Sequence, residues 1–167
     1  MSIYASDGRE LVLPPITLND AYQQAFVENI NSLHKLLVQS SVAFNISANT
    51  SAEYEERTLG RLGSVVAAVF GSVFGQPPAD RYADIFEQVS IFAEHLAQDH
   101  IFADGNKRTA LRASVAFLED NNISLTFSDS PDPSQNEMYQ WIQDVVQRKH
   151  TVNELAAFLR QRAQILY

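Results

Sequence analysis

The chain of 167 residues contains no cysteine. This absence excludes a disulfide framework and thiolate metal ligands, and it suits a reducing compartment. Basic residues are also scarce, because 12 Lys and Arg stand against 20 Asp and Glu and give a formal net charge of -8. Binding along a nucleic-acid backbone depends on many Lys and Arg contacts, so we expect no direct nucleic-acid partner. Any basic site must therefore be local.

Long apolar runs are missing as well. The stretch from Leu62 to Ala79 is uncharged, but its continuous apolar part, Val65 to Phe70, is far shorter than the roughly 20 residues that a bilayer demands. We expect this stretch to be buried in protein, and we expect no membrane partner. The N-terminus has no basic segment followed by an apolar run, which predicts a cytoplasmic protein. The length and the 46% apolar composition suit a single domain over residues 1–167.

The spacing of apolar residues along the chain is mainly that of helices. Thr17 predicts the N-cap of a first helix that continues to about Leu37. A second helix is expected from about Ser51, and its Gly60 and Gly63 indicate close packing against another helix. These observations place the chain in the mainly α class.

The clearest helix follows two prolines and repeats apolar residues at steps of four, three and four, at Ile85, Val89, Phe92 and Leu96. Another helix is expected to end near Asn121, and two more are expected over 136–150 and 151–166. Alternation predicts short extended segments at Val42–Ile46 and within 123–127. We expect the larger aromatic residues to be core, namely Phe70, Phe74, Phe86, Phe92, Phe117 and Trp141. The arginines of the closing helices are expected to be solvated.

Eleven residues between two of these helices, Asp99 to Thr109, read DHIFADGNKRT and concentrate polar groups. The first turn of the following helix offers unpaired N–H groups to an anion, and Gly105 lets the backbone approach closely. Lys107 and Arg108 add two cations, which together suit a polyphosphate.

Two further side chains of this stretch carry groups that can bind a metal ion or accept a proton. Asp104 would repel phosphates unless a magnesium ion lay between them, and that ion prefers carboxylate and phosphate oxygens. The imidazole of His100 has the pKa range to take a proton from a hydroxyl. These groups predict nucleotide-dependent transfer onto a hydroxyl. The chain has neither a P-loop nor a Rossmann glycine motif.

The segment HIFADGNKR resembles the signature of the Fic/Doc superfamily, H-x-F-x-[DE]-G-N-G-R-x-x-R. Six residues fall on its positions: His100, Phe102, Asp104, Gly105, Asn106 and Arg108. Lys107 replaces the second glycine and Leu111 replaces the last arginine, and both changes are typical of the Doc, or death-on-curing, branch. Arg112 lies one residue late for that arginine. The resemblance runs from about Arg57 into the last helix, and the first 50 residues differ most.

The resemblance implies a compact Fic-like helical bundle with a central helix-loop-helix active-site motif and a short β-hairpin flap, for which Val42–Ile46 is the candidate. It implies a toxin of a toxin–antitoxin pair, which transfers the γ-phosphate of ATP to a threonine or serine of a protein, elongation factor Tu in this branch. Its partners are then that protein and a cognate antitoxin. In the implied roles His100 is the base, Asp104 holds magnesium, and the phosphates contact Gly105, Asn106, Lys107 and Arg108.

Two alternatives for the function remain open at this stage. A Fic-type enzyme would transfer AMP instead of phosphate, and a catalytically weak protein would act by docking a partner. A metal site of His95, Asp99 and His100 is disfavoured, because the two histidines diverge around the helix. Ser51–Glu56 fits five positions of the inhibitory pattern [ST]-x-x-x-E-[GN] found in Fic proteins. We interpret that match as a coincidence, and expect a separate antitoxin as the restraint.

Overall fold

The computed structural model describes residues 3–4, 8–40 and 51–166. Helices dominate this part of the chain, as predicted. They are α1 (Asp20–Ser40), α2 (Ala52–Phe70), α3 (Pro78–Arg81), α4 (Ile85–Gln98), α5 (Asn106–Asp120), α6 (Glu137–Val146) and α7 (Val152–Arg162). Two antiparallel pairs of short strands accompany them, β1 (Ile3–Tyr4) with β2 (Glu10–Leu11) and β3 (Ile123–Leu125) with β4 (Ala163–Ile165). The flap candidate Val42–Ile46 lies outside the described residues.

Helix α4 forms the centre of the core and packs against α2, α5, α6 and α7. Its predicted apolar stripe is buried, from Ile85 to Leu96. Four rings, one each from α1, α2, α4 and α5, contact one another in this core with centroids 4.7 to 5.4 Å apart, and belong to Phe26, Phe70, Phe92 and Phe117. Burial of a phenylalanine side chain contributes about 1.5–3 kcal/mol to stability. This cluster therefore stabilises the packing of α4 and α5, the two helices that the loop joins.

The prediction of the N-cap of α1 was wrong by two residues. The side chain of Asn19 accepts the N–H of Tyr22 at 2.9 Å, so Asn19 and not Thr17 caps the helix. The reason is a tertiary contact, because the N–H of Leu18 donates to the carbonyl of Phe70 at 2.8 Å and keeps the chain outside the helix up to that point. The predicted start of α2 is confirmed, since Ser51 accepts the N–H of Tyr54.

Two expectations for α2 and for the turn that follows it were wrong. A Cβ at Gly60 or Gly63 would meet nothing within 4 Å, so these glycines do not mark close helix packing. Helix α2 ends at Phe70, and Val73 and Gln76 then close a tight turn. Phe74 lies at its tip and is fully exposed, because a turn tip has no element to pack against. No helix among the described residues is long and apolar enough to cross a membrane.

The C-terminal end differs from the predicted helix over 151–166. Helix α7 ends at Arg162, and the next three residues form β4, which pairs with the predicted strand β3. Arg160 is not simply solvated, because its guanidinium binds both carboxylate oxygens of Asp84 at 2.6 and 3.0 Å. Helical periodicity cannot reveal such a partner, which lies 76 residues away in the sequence.

Candidate active site

The predicted helix-loop-helix is present, and the loop 100–105 connects α4 to α5. Its first residue, His100, has a φ of 49° and an exposed side chain. A residue just after a helix often adopts this left-handed conformation, but it is usually glycine. For an L-residue the conformation costs about 1–2 kcal/mol. A histidine there combines backbone strain with exposure of a titratable ring, which is typical of functional positions.

The middle of the loop is anchored in the protein. Ile101 and Phe102 are each only 3% exposed. The side chain of Asn106 closes the loop, because its Oδ1 accepts the N–H of Phe102 at 3.0 Å and its Nδ2 donates to the carbonyl of Phe102 at 2.9 Å. The amide of Asn106 therefore shapes the loop, and its backbone N–H lies in the first turn of α5.

The first turn of α5 has the features of an anion site. Gly105 occupies the N-cap with a φ of 78° and offers no capping side chain, and the turn contains no acidic residue. Lys107 and Arg108 lie in this turn and are half-buried. Cations are unfavourable at the positive end of a helix dipole unless an anion binds there. The carboxylate of Asp104 is exposed directly before the turn and accepts the N–H of Gly105 at 2.7 Å.

A cleft of about 190 Å³ adjoins this turn, lined by Arg108 and Arg112 from α5 and by the segment around Asp129. Arg112 donates to both carboxylate oxygens of Asp129, at 2.7 and 2.5 Å. These hydrogen bonds hold the pKa of Asp129 below its ordinary value. Leu111, at the position of the missing arginine, is 1% exposed. Arg112 follows Arg108 by one turn and reaches the same cleft.

Three residues that no sequence motif indicates contact the loop backbone. Arg61 donates through Nη1 to the carbonyl of His100 at 2.8 Å and through Nη2 to that of Asp99. Hydrogen bonds from a charged donor contribute about 1.5–3 kcal/mol each, which is enough to offset the strain at His100. Tyr54 accepts the N–H of Ala103 at 3.1 Å. These partners lie on α2, about 40–50 residues before the loop, and no local pattern identifies them.

The third is His34 on α1. Its ring stacks on that of Phe102, with centroids 3.7 Å apart and planes within 7°. Nε2 lies 2.9 Å from the carbonyl oxygen of Asp104, and because a carbonyl only accepts, Nε2 carries the hydrogen. Burial is the main cause that lowers the pKa of His34, so the neutral ring is favoured.

Two alternatives for this region can be compared with the geometry. His95 Nδ1 lies 3.3 Å from Asp99 Oδ2, but the described residues contain no group of three side chains placed to hold a metal ion. Glu55, in the segment that matches the inhibitory pattern, binds Lys35 at 2.6 Å. This contact is the main cause that lowers the pKa of Glu55, and it directs the carboxylate to α1.

These features define a class of helical protein in which a helix-loop-helix carries an exposed imidazole, followed by a helix N-terminus that has two cations and no side-chain cap. A model of the Fic/DOC family matches residues 26–118, more than half of the chain, so the chain belongs to the Fic/DOC family, and within it to the Doc branch. It is a Fic-type enzyme by this membership.

Two curated relatives are similar to the chain. Toxin Doc of Mycolicibacterium smegmatis is 29% identical over 124 residues, which cover 74% of this chain and 85% of that protein. Protein kinase doc of Escherichia phage P1 is 35% identical over 65 residues, which cover 39% of this chain and half of the phage protein. No solved structure matches the chain. The family match begins at Phe26 in α1, so the resemblance starts earlier than the predicted boundary at Arg57.

Proposed function

We propose that the chain is a Doc-like toxin of a toxin–antitoxin pair, which transfers the γ-phosphate of ATP to a serine or threonine hydroxyl of a protein. Elongation factor Tu is the proposed target, and a cognate antitoxin is the second partner. The observation that carries the proposal is the exposed imidazole of His100, six residues before a helix N-terminus that has two cations and no cap. The name of the phage relative, a protein kinase, and the N-K-R sequence favour phosphate over AMP.

The proposed reaction needs one base and one anion site. The oxygen of the target hydroxyl attacks the γ-phosphorus, and the bond from that phosphorus to the bridging oxygen of ADP breaks. His100 takes the hydroxyl proton, and ADP leaves with the electron pair of the broken bond. A positioned base contributes about 100- to 10,000-fold to such a step. Its imidazole is suited to this role because it is exposed at the start of the loop.

The remaining roles concern the phosphates. The backbone N–H of Asn106, with Lys107 and Arg108, would bind the phosphate oxygens and neutralise their charge. Gly105, whose own N–H donates to Asp104, would let the phosphates approach the backbone closely. The exposed carboxylate of Asp104 has the chemistry of a magnesium ligand. Magnesium commonly takes one or two protein carboxylates together with phosphates and water. When bound, it would supply further positive charge to neutralise the phosphates.

The test uses ATP labelled at either the α- or the γ-phosphate, incubated with the purified chain, magnesium and purified elongation factor Tu. We expect label in the target protein from γ-labelled ATP alone, and its loss with His100→Ala. A parallel incubation with a bacterial lysate identifies the acceptor if another protein is the target. Circular dichroism of the variant checks that the fold is kept.

Two other outcomes would identify a different function, and a third would contradict the role of His100. Transfer of the α-label would identify the chain as an AMP transferase. Absence of label from either ATP, with stable capture of an antitoxin, would identify a partner-binding protein. Retention of γ-transfer by His100→Ala at wild-type rate would contradict the role of His100 as base.

A further inference from the structure

Side chains from two helices outside the signature contact the active-site loop at its start, in its middle and near its end. Arg61 on α2 bonds to the carbonyls of Asp99 and His100, and Tyr54 on the same helix bonds to the N–H of Ala103. His34 on α1 stacks on Phe102 and bonds to the carbonyl of Asp104. The loop is therefore held by the backbone at both ends and in the middle, while its functional side chains remain exposed.

We infer that His34, Tyr54 and Arg61 form a loop clamp, a set of positioning residues that fixes the backbone on either side of His100 and Asp104. The inference deepens the proposed function, and rests on it for the reaction that the clamp serves. None of the three side chains belongs to the signature segment 100–108.

Arg61 controls the orientation of the base. Its two N–H groups bind consecutive carbonyls, and these belong to the two peptide units that flank the backbone torsions of His100. The left-handed torsions of His100 are strained, so the backbone would relax toward an ordinary conformation if these two contacts were lost. Relaxation there turns the Cα–Cβ bond and moves the imidazole away from an incoming hydroxyl.

His34 and Tyr54 control the other end of the loop. The stacked ring of His34 covers Phe102, and its bond to the Asp104 carbonyl fixes the peptide that leads into Gly105. The Tyr54 hydroxyl holds the intervening Ala103. Together these contacts fix where the Asp104 carboxylate lies relative to the first turn of α5. Displacement of a reacting group by about 1 Å can lower a rate by about 100-fold.

The experiment compares matched variants of the full chain. Arg61→Lys keeps the charge but cannot bind two carbonyls at once, and Arg57→Lys, at an exposed position one turn earlier on α2, is its control. His34→Phe keeps a ring on Phe102 without the donor, and His34→Gln keeps a donor without the ring. Tyr54→Phe removes one hydroxyl. Backbone hydrogen exchange over residues 100–106 is measured for each, together with kcat and the KM for ATP.

With Arg61→Lys we expect faster exchange confined to this loop and a kcat that falls about 10- to 100-fold, while the KM for ATP stays within about 2-fold because Arg108 and the α5 amides are untouched. Arg57→Lys should match the wild type in both measurements. His34→Gln should recover part of the activity lost in His34→Phe. Tyr54→Phe should give the smallest loss of the set.

The clamp would be overturned if exchange in the loop were unchanged in Arg61→Lys, or if the loop loosened while kcat stayed at the wild-type value. If the wild-type chain transferred no label from ATP, the proposed function would fail separately. Backbone hydrogen exchange in the loop of Arg61→Lys would then test the clamp by itself. Faster exchange than in the wild type would support the clamp, and unchanged exchange would contradict it.

Discussion

The N-termini of α5 and α7 are built in opposite ways. At α7 the hydroxyl of Thr151 accepts the N–H of Glu154 at 3.1 Å, and the Glu154 carboxylate accepts the N–H of Thr151 at 3.0 Å. At α5 the cap is Gly105, and the first turn contains Lys107 and Arg108 instead of an acid. A side-chain cap contributes about 1 kcal/mol, and an acid in the first turn adds about 0.3–1 kcal/mol. Helix α7 completes its own N-terminus with a capping box, whereas the first turn of α5 has no side-chain cap and no acid of its own.

Among changes to the charges at the two helix N-termini, the largest effect is expected from removing a cation at α5. We predict that Arg108→Gln lowers the rate of label transfer about 100-fold, because removal of a group that stabilises transition-state charge commonly costs that much. Arg148→Gln, at an exposed position after α6, should change the rate less than 2-fold. Initial rates at saturating ATP measure both. Equal rates for the two variants would refute an anion site at α5.

The strained residue before α5 gives a prediction on stability. His100→Gly and His100→Ala should both abolish transfer, but the glycine variant should be the more stable by about 1 kcal/mol. The left-handed conformation costs alanine about 1–2 kcal/mol, which exceeds the roughly 0.4–1 kcal/mol that glycine loses through its freer unfolded chain. Urea unfolding measures the difference.

The exposed position Ala116 within α5 is the control for this comparison. There Ala→Gly should destabilise the protein by about 1 kcal/mol, the opposite sign. Equal stability of the two His100 variants would mean that the loop does not impose its conformation on residue 100.

Exchanging the charges of the two helices tests the contrast directly. Lys107→Glu should raise the free energy of unfolding by about 0.3–1 kcal/mol without ligand, because it places an acid at the positive end of α5. The same change should raise the KM for ATP by repelling its phosphates. Glu154→Lys should lower stability and leave transfer unchanged. If Lys107→Glu destabilised the free protein, the uncapped turn would not be kept open for an anion.

The sequence predicted most of the helices but not the residues that hold the loop. Hydrophobic periodicity located α4 and its buried stripe because one face of that helix meets the core along its length. The signature segment located the loop, since His100, Asp104 and Gly105 lie close together in the sequence and form a local pattern. Arg61 and His34 could not be found in this way, because their partners lie 38 to 70 residues away.

The same limit explains the errors. Thr17 has a good capping sequence, yet a bond between Leu18 and Phe70 places the cap at Asn19. The last strand, Ala163–Ile165, continues a helical pattern, but pairing with β3 decides its conformation. In each case a tertiary contact outweighs a local preference of about 1 kcal/mol or less.

The smallest effect is expected from lowering the pH, which protonates the Glu154 carboxylate at the N-terminus of α7. The N–H of Thr151, and next the side chain of His150, hold the pKa of Glu154 below its ordinary value of 4.5. The folded state therefore favours the carboxylate, and its contribution to stability is complete above that ordinary value and is lost as the pH falls through the lower pKa of the folded protein. Glu154→Gln removes this titration but keeps an acceptor for the capping box.

The unfolding free energies of the wild type and Glu154→Gln should accordingly differ most above the ordinary pKa of 4.5 and converge as the pH falls below the lowered pKa of the folded protein. The first turn of α5 contains no acidic residue. The pH dependence of the stability difference is therefore assigned to the carboxylate at α7. A difference that stayed constant over this range would mean that the carboxylate charge contributes nothing at α7. The two helices would then differ only in hydrogen bonding, and an anion at α5 would gain little from the helix dipole.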